Sequence, residues 1–404
     1  MKPCLSCRTP HVRPLLDFGL VPLTNRFTTP GAANADHAPL RLGQCRRCGL
    51  VQLVGPAAAE VLRARVPWIA YQEPEAHLDD VAERLVKLPG IGPKSVAVGL
   101  SIKDDTTLRR LRSRGIGSVW RVDAAADLGA TDPCAGIESL PERFDSDVAS
   151  RLAADAGQAD LVVVRHVLEH AADLARFVAA VKRMVRPDGY VVWEVPNCAR
   201  SFELHDYSLP WEEHVAYFTP ATFRMTLEAT GFEIVSLVDY PYPRENSLVA
   251  VCRLGAAGHL AAASPELLIA ETRRAVDYAD AFTAAQAKYE AYLGDVVVDG
   301  GKVAVFGAGH ASIMAMHLLR LAPYIDCFFD DDPNKQGLIV PGTAIPILPS
   351  AELSKRNLTL CLLGIGREAA QRVVERRTDF TAQGGRFASL FPADPQSLAS
   401  IAAA

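Results

Sequence analysis

Short apolar runs alternate with amphipathic segments along most of the chain. Before residue 260, the runs that predict strands lie at 95–101, 116–123, 159–170, 190–197 and 247–254, with helical spacing at 78–86 and 174–189. The same alternation returns near the end, at 302–321, 325–337 and 359–366. Strands that alternate with helices predict parallel sheets with helical crossovers. The sequence therefore indicates an α/β protein with two nucleotide-fold-like units in tandem.

An Ala-rich, charged segment with helical character separates the two units. Ser264 followed by Pro265 is typical of the first turn of a helix, since serine caps it and proline suits its first position. We expect a connecting helix there.

Two Cys-x-x-Cys pairs stand near the N-terminus, "CLSC" and "CRRC". Cysteines at this spacing let two thiolates reach one ion from one turn, and two such pairs are typical of a tetrahedral Zn²⁺ site. We interpret Cys4, Cys7, Cys45 and Cys48 as the ligands of a structural zinc ion. The alternatives are free thiols or a redox pair.

The predicted fold class is α/β, with two Rossmann-like parallel-sheet domains preceded by a small zinc-binding domain. With 404 residues the chain is too long for one ordinary core. The predicted domains are a zinc-binding domain at 1–65, a cofactor-binding Rossmann-like domain at 66–255, a connecting helix at 256–298 and a C-terminal Rossmann-like substrate-binding domain at 299–404.

Composition and charge argue against two classes of binding partner. The formal net charge is −5 and the chain has no dense Lys/Arg run, which argues against nucleic acid and against an anionic membrane surface. The first residues lack an apolar signal-peptide core, and apolar runs are too short to span a membrane. We expect a cytoplasmic protein with reduced thiols and a small-molecule substrate.

The loop after the first strand predicts a cofactor site. Gly99 ends that strand, and Asp123 lies 24 residues later, where an acceptor for ribose hydroxyls is expected. A dinucleotide loop needs more glycines, whereas Ser101 stands near one of their positions. S-adenosylmethionine (SAM) has no phosphate and suits this loop better. His166, at the end of a later strand, is a further candidate contact; the alternative is an ordinary strand–helix turn.

Four further stretches carry candidate chemistry. "RHVLEH" ends a strand with His166 and His170, where ligands bind in open α/β sheets, although a histidine there is often structural. "WEEHVAYFTP" at 211–220 is either a packed aromatic corner or a catalytic wall. "FGAGHAS" offers a glycine turn and a helix N-terminus for a pyrophosphate, and "DDDPNKQG" offers carboxylates for ribose or is a solvated turn.

Read in order, these motifs resemble one family over nearly the whole chain. "CLSC", "PLTNRF", "CRRCGLVQL", "RHVLEH", "GYVVWEVPN", "WEEHVAYFTP" and "NKQGLIVPGTAIPIL" are similar to the sugar C-methyltransferases. The resemblance implies SAM and structural zinc as cofactors, and a nucleotide-linked keto-deoxysugar substrate from antibiotic biosynthesis. It also implies a monomer or small homo-oligomer.

The same resemblance implies roles for individual residues. His214 is the expected base that forms an enolate, Glu213 orients its ring or contacts sugar, and His170 stabilises the enolate oxygen. Tyr71 matches a tyrosine of the family's active site. The expected substrate contacts are Trp211, Tyr217, Asn246, Gly307, Gly309, His310, Ser312, Asp330 and Lys335.

The chain departs from the family at two informative places. Ala97 replaces an acidic residue before the cofactor glycine, and Trp211 replaces a tyrosine. The altered loop leaves two other hypotheses open. One is an NADPH-dependent ketoreductase of a nucleotide sugar, and the other is a non-catalytic sugar-nucleotide-binding protein.

Overall fold

The computed structural model describes residues 3–32, 36–69, 73–255 and 263–403. Its strands are β1 (Val12–Pro22), β2 (His37–Cys45), β3 (Val51–Leu53), β4 (Val96–Gly99), β5 (Ser118–Arg121), β6 (Ala159–Arg165), β7 (Val185–Asn197), β8 (Ala216–Tyr217), β9 (Phe232–Tyr240), β10 (Asn246–Leu254), β11 (Val303–Phe306), β12 (Ile325–Phe329), β13 (Ile347–Leu348), β14 (Leu360–Leu363) and β15 (Arg386–Ser389).

The helices lie between these strands in the order that a crossover fold requires. They are α1 (Ala59–Leu62), α2 (Leu78–Val86), α3 (Asp105–Ser113), α4 (Leu140–Arg143), α5 (Ser146–Ala156), α6 (Leu174–Met184), α7 (Ala199–Glu203), α8 (Pro220–Ala229), α9 (Pro265–Val298), α10 (His310–Leu318), α11 (Arg367–Arg376), α12 (Thr378–Ala382) and α13 (Leu398–Ile401).

The central sheet has the strand order β5-β4-β6-β7-β10-β9. β5, β4, β6 and β7 are parallel, as predicted, but β10 runs antiparallel to both β7 and β9. The antiparallel edge follows from a short loop between β9 and β10, since two strands joined without a crossover helix must run in opposite directions. The alternation of apolar runs predicted the strand β10 but not its antiparallel direction.

The last sheet has the order β13-β12-β11-β14-β15, and all of its pairs are parallel. Its inner strands β11 and β14 are fully buried runs of apolar residues, as expected for a sheet that helices cover. The predicted α/β class with two parallel-sheet domains is confirmed.

Two local elements differ from the prediction. The helix predicted over 174–189 ends as α6 at Met184, because Pro187 disfavours a helical backbone at Arg186; the chain continues there as β7. Between the Cys pairs, where no strand was predicted, β1 and β2 belong to one sheet with β3 and β8.

The chain divides into two compact units that are interleaved along the sequence. The first contains residues 1–14, 42–199 and 213–273, and the second contains 15–41, 200–212 and 274–404. The prediction, by contrast, divides the chain linearly. Within the described residues no helix is both long enough and apolar enough to cross a membrane.

Candidate active site

The four cysteines of the two pairs converge on one point in the first unit. Their sulfur atoms all lie within 4.8 Å of one another. The Sγ atoms of Cys4 and Cys48 are 3.5 Å apart, as are those of Cys7 and Cys45. A turn at Gly49, whose φ is +76°, closes the second pair, and the Gly49 amide donates to the carbonyl of Cys45. The four cysteines predicted to bind zinc therefore lie close together in the structure.

The cysteine cluster is packed into the same core as the central sheet. Cys4, Cys45 and Cys48 are buried in one apolar cluster with residues such as Phe218 and Phe223. β3, which follows the second pair, is antiparallel to β8, and the amide of Leu53 donates to the carbonyl of Val215 at 2.9 Å. β3, which follows the second Cys pair, thus fixes the position of the segment that immediately follows His214.

His170 and His214 are brought together from distant parts of the sequence. His170 ends the 3₁₀ turn Leu168–His170, and its ring centroid lies 4.8 Å from that of His214 in an edge-to-face arrangement. The amide of Val215 donates to the carbonyl of Glu169 at 2.7 Å and ties the two segments. Glu169 and His170 are buried, whereas His214 is half-buried. "LEH" and "EEH" therefore form one cluster.

The other predicted catalytic residues, Glu213 and Tyr71, and the predicted substrate contacts Tyr217 and Asn246 have different surroundings. Glu213 is buried next to His214, and Tyr217 is buried in β8 with its ring centroid 6.5 Å from that of His214. Tyr71 lies outside the described residues. Asn246 begins β10, and its amide donates to a carboxylate oxygen of Asp239 at 3.1 Å.

A buried ionic network lies at the carboxyl ends of β6 and β7. The carboxylate of Glu194 accepts from Arg165 Nε at 2.5 Å and from His166 Nε2 at 3.0 Å. His77 Nε2 lies 3.1 Å from the same carboxylate. His166 has a left-handed backbone, with φ of +50°, which a non-glycine residue adopts only at a cost. His166, predicted to contact the cofactor, is held here as a partner of Glu194.

The network fixes the charge state of its members. Burial alone lowers the pKa of His166, but the Glu194 and Glu169 carboxylates outweigh it and raise the pKa to about 10. Burial opposes ionisation of Glu194 too, yet His166, His77 and Arg165 hold its pKa well below the usual value. Both groups are therefore charged at neutral pH.

The raised pKa of His166 predicts a pH dependence of stability. Its folded pKa of about 10 exceeds the usual 6.5, so its contribution is complete below pH 6.5 and is lost as the pH rises through about 10. One such proton changes the free energy of unfolding by at most about 1.4 kcal/mol per pH unit. Urea unfolding of the wild type and of His166→Gln between pH 6.5 and 10 measures it. The variant should show the shallower decline, and parallel declines would contradict the assignment.

Asp104 closes the loop that follows β4. Its Oδ2 accepts from the amides of Leu100 and Ser101, each at 2.8 Å, and its Oδ1 accepts from the amide of Arg165 at 2.9 Å. A Cβ on Gly99 would lie 2.6 Å from the Cβ of Asp104, so glycine is required there by packing within the chain. Burial raises the pKa of Asp104 to about 7 in spite of these donors. The Ser101 hydroxyl accepts from the Lys103 amide and caps the turn.

Asp123 is exposed in the loop after β5, next to the end of β4. Its Oδ1 accepts from the amides of Ala125 and Ala126 at 2.9 and 2.8 Å, and these two donors lower its pKa. The amide of Val122 donates to the carbonyl of Gly99 at 2.9 Å, which keeps the two strand ends together. An ionised carboxylate therefore stands at the position predicted for a ribose acceptor.

In the second unit, Trp211 stacks on His310. Their ring centroids are 4.2 Å apart and their planes differ by 21°. Trp211 Nε1 donates to Thr24 Oγ1, and the amide and hydroxyl of Thr24 both donate to Glu212 Oε1. His310 begins α10, directly after the cap residue Gly309. Trp211 and His310, which are both predicted to bind the substrate, therefore pack against each other.

The remaining predicted contacts of the second unit hold its glycine turn. Gly307 has φ of +98°, and Ser312 donates from its hydroxyl to the carbonyls of Gly307 and Gly309. Asp330 Oδ2 accepts from the amide of Ala308 at 2.9 Å and from Lys335 Nζ at 3.1 Å. Hydrogen bonds from Ser312 and to Asp330 therefore fix the conformation of this turn.

Comparison with known proteins identifies each part of the chain. Family models match residues 4–62 (a zinc binding domain), 104–237 (methyltransferase domain) and 259–392 (C-methyltransferase C-terminal domain). The C-methyltransferase NovU of Streptomyces niveus is 26% identical over 399 residues, which are 95% of this chain and 94% of NovU. The protein is a SAM-dependent C-methyltransferase.

Two solved methyltransferases are also similar to part of this C-methyltransferase. The 1,6-didemethyltoxoflavin-N1-methyltransferase of Burkholderia thailandensis is 15% identical, with 56% of this chain and 99% of that chain covered and a TM-score of 0.35. A SAM-dependent methyltransferase of Aquifex aeolicus is 13% identical, with 44% and 93% covered and a TM-score of 0.28.

The cysteine cluster of the C-methyltransferase fits zinc. Four thiolates around Zn²⁺ at about 2.3 Å lie about 3.8 Å from one another, close to the 3.5 Å separations found here. The amide of Arg47 donates to Cys45 Sγ at 3.4 Å, which stabilises a thiolate. With four protein ligands the ion has no open position, so its role is structural.

The cofactor loop of the C-methyltransferase fits SAM better than a dinucleotide. The amides of Leu100 and Ser101 are engaged by Asp104, so they are not offered to a pyrophosphate. Asp123 retains the carboxylate that a ribose requires, and a negative charge there disfavours a 2′-phosphate. These observations argue against the NADPH hypothesis.

Sequence reasoning missed the residues that assemble this site. Arg165, Glu194, His77 and Asp104 are buried charged or ionisable groups for which the sequence predicted no role, although Arg165 lies in "RHVLEH" and Glu194 in "GYVVWEVPN". The one signal available was Glu194 itself, a carboxylate inside the otherwise apolar run "YVVWEVPN". A charge in a buried strand requires a partner, but the pattern of one strand does not identify it.

Proposed function

We propose that this C-methyltransferase acts on a nucleotide-linked keto-deoxysugar, and that His214 is the base that forms the enolate. Transfer of a methyl group to carbon requires a nucleophilic carbon. The carbon next to a ketone provides one once its proton is removed, because the electron pair left behind is shared with the keto oxygen. A keto sugar therefore suits a C-methyltransferase chemically.

The observation that carries this proposal is the contact between His170 and His214. Two imidazoles with centroids 4.8 Å apart can reach neighbouring atoms of one small substrate. His214 is the more accessible of the two, as a group that receives a proton from the substrate should be. In the proposed step the C–H bond breaks, its proton goes to a ring nitrogen of His214, and its electrons form the enolate. SAM supplies the electrophilic methyl group.

His170 is suited to the opposite role, stabilisation of the enolate oxygen. Burial lowers the pKa of His170, so its ring is uncharged at neutral pH and does not repel the protonated His214. A neutral imidazole N–H can donate to an oxygen on which negative charge develops. Buried Glu213 precedes His214 and is assigned to orient the sugar or the ring.

The nucleotide is assigned to the glycine turn of the second unit. α10 begins at His310, directly after Gly309, without a side-chain cap, and a helix N-terminus of this kind attracts phosphate. Trp211, stacked on His310, adds an aromatic surface beside it. Both residues are proposed to contact the substrate.

Replacement of His214 tests the proposal. With methyl-labelled SAM and a panel of nucleotide-linked keto-deoxysugars, the wild type should label one of them on carbon. His214→Gln should lower turnover by about 10²- to 10⁴-fold, the usual contribution of a general base, with little change in the affinity for S-adenosylhomocysteine. His37→Gln, at an exposed position of the second unit, is the matched control and should retain wild-type turnover. Normal turnover of His214→Gln would contradict the proposal.

A further inference from the structure

Glu169 is a buried carboxylate that the proposed mechanism does not use. Its exposure is 0%, and neither carboxylate oxygen accepts a hydrogen bond from the described residues. The charged His166 ring forms an ion pair with this carboxylate, Nδ1 lying 3.3 Å from Oε1, while Nε2 of the same ring is hydrogen-bonded to Glu194. A single ion pair leaves the other lone pairs of this buried carboxylate unused, and a metal ion that accepted one of them would reduce the cost of burial.

The carboxylate of Glu169 faces the two histidines of the site. One ligand atom from each of Glu169, His170 and His214 lies within 4.8 Å of the others. Around Zn²⁺, ligand atoms at about 2.1 Å from the ion are roughly 3.4 Å apart. Small side-chain rotations therefore bring the three atoms to the separation that one ion requires.

We propose that Glu169, His170 and His214 bind one divalent transition-metal ion of the Zn²⁺ type when no substrate is present, and that this ion inhibits the enzyme. Two imidazoles and a carboxylate are a donor set that suits zinc, and three protein ligands leave a position for water. This second part rests on the proposed function, because an ion on the ring nitrogen of His214 removes the lone pair that accepts the substrate proton.

The backbone around the three ligands supports such a site. The hydrogen bond from the Val215 amide to the Glu169 carbonyl fixes the two segments that supply them. The site is distinct from the four-cysteine cluster, with which it shares no residue.

Calorimetric titration of the zinc-loaded enzyme with Zn²⁺ tests the site directly. The wild type should bind one further ion beyond the one in the cysteine cluster. Glu169→Gln and the less buried His214→Gln should each weaken this binding by at least about tenfold, whereas His37→Gln should not change it. Absence of a further ion, or equal affinity in all four proteins, would overturn the proposal.

Turnover in the presence of Zn²⁺ separates this inference from the proposed function. Inhibition of the wild type that follows the measured occupancy, and that excess keto sugar relieves, supports both. Occupancy that depends on Glu169 but leaves turnover unchanged would confirm the metal site, overturn its inhibitory role and contradict His214 as the base.

Discussion

The Cys48→Ser variant is expected to lose the zinc ion, and the segments that carry the four cysteines are expected to unfold. Structural zinc contributes an apparent binding energy of about 10 kcal/mol or more, comparable with the whole stability of a domain. Because Cys48 lies in the same core as Phe218, and β3 holds the segment after His214, the loss should reach the active site. We expect a fall in turnover of about a hundredfold, since small misplacements of a catalytic group have effects of this size.

Metal analysis and hydrogen–deuterium exchange measure this result. In the variant, zinc content should fall from one ion per chain towards none, and peptides covering residues 3–14 and β3 should lose protection. Cys134→Ser, at a half-buried thiol outside the cluster, is the control and should change neither quantity. A zinc-free variant with full protection of β3 and β8 would contradict the coupling.

Glu194→Gln is expected to destabilise the first unit by about 3–5 kcal/mol, the usual cost of breaking a buried ion pair. Arg165, 2% exposed, and His166 would both lose their carboxylate partner while they remain buried. An amide can accept one of these hydrogen bonds but carries no compensating charge. Exchange protection of β6 and β7, together with urea unfolding, measures the change.

The control for this variant is an exposed ion pair of the same unit. Glu83 and Lys87 are 2.6 Å apart with side chains 60% and 69% exposed, and such solvent-screened pairs contribute little to stability. Glu83→Gln should therefore leave the unfolding transition almost unchanged. Equal effects of the two substitutions would show that the buried network contributes no more than a surface pair.

Local patterns were sufficient to predict the elements and the ligands that lie close together in sequence. The cysteine pairs predicted the zinc cluster because each pair needs only one turn to form. The apolar runs predicted the inner strands of both sheets, since a buried strand requires apolar residues on both faces, but not the short edge strands β13 and β15. "LEH" and "EEH" were identified through the family resemblance, and the structure places His170 and His214 in contact.

What local patterns could not predict depends on register between distant segments. The partners of Glu194 come from β6 and from the segment before α2, and only the aligned sheet brings Arg165, His166 and His77 to one carboxylate. The antiparallel direction of β10 and the ladder of β1 with β2 likewise depend on which edges are available. The role of Asp104 was hidden because its donors are backbone amides.

Solvent deuterium exchange in the absence of methyl transfer tests directly whether His214 removes the proton next to the keto group. With S-adenosylhomocysteine in place of SAM, the keto sugar that the enzyme methylates is incubated in D₂O and examined by NMR. With the wild type, deuterium is expected at the carbon next to the keto group, and with His214→Gln the exchange rate is expected to be at least about a hundredfold lower. Exchange by His214→Gln at the wild-type rate would show that another group removes the proton.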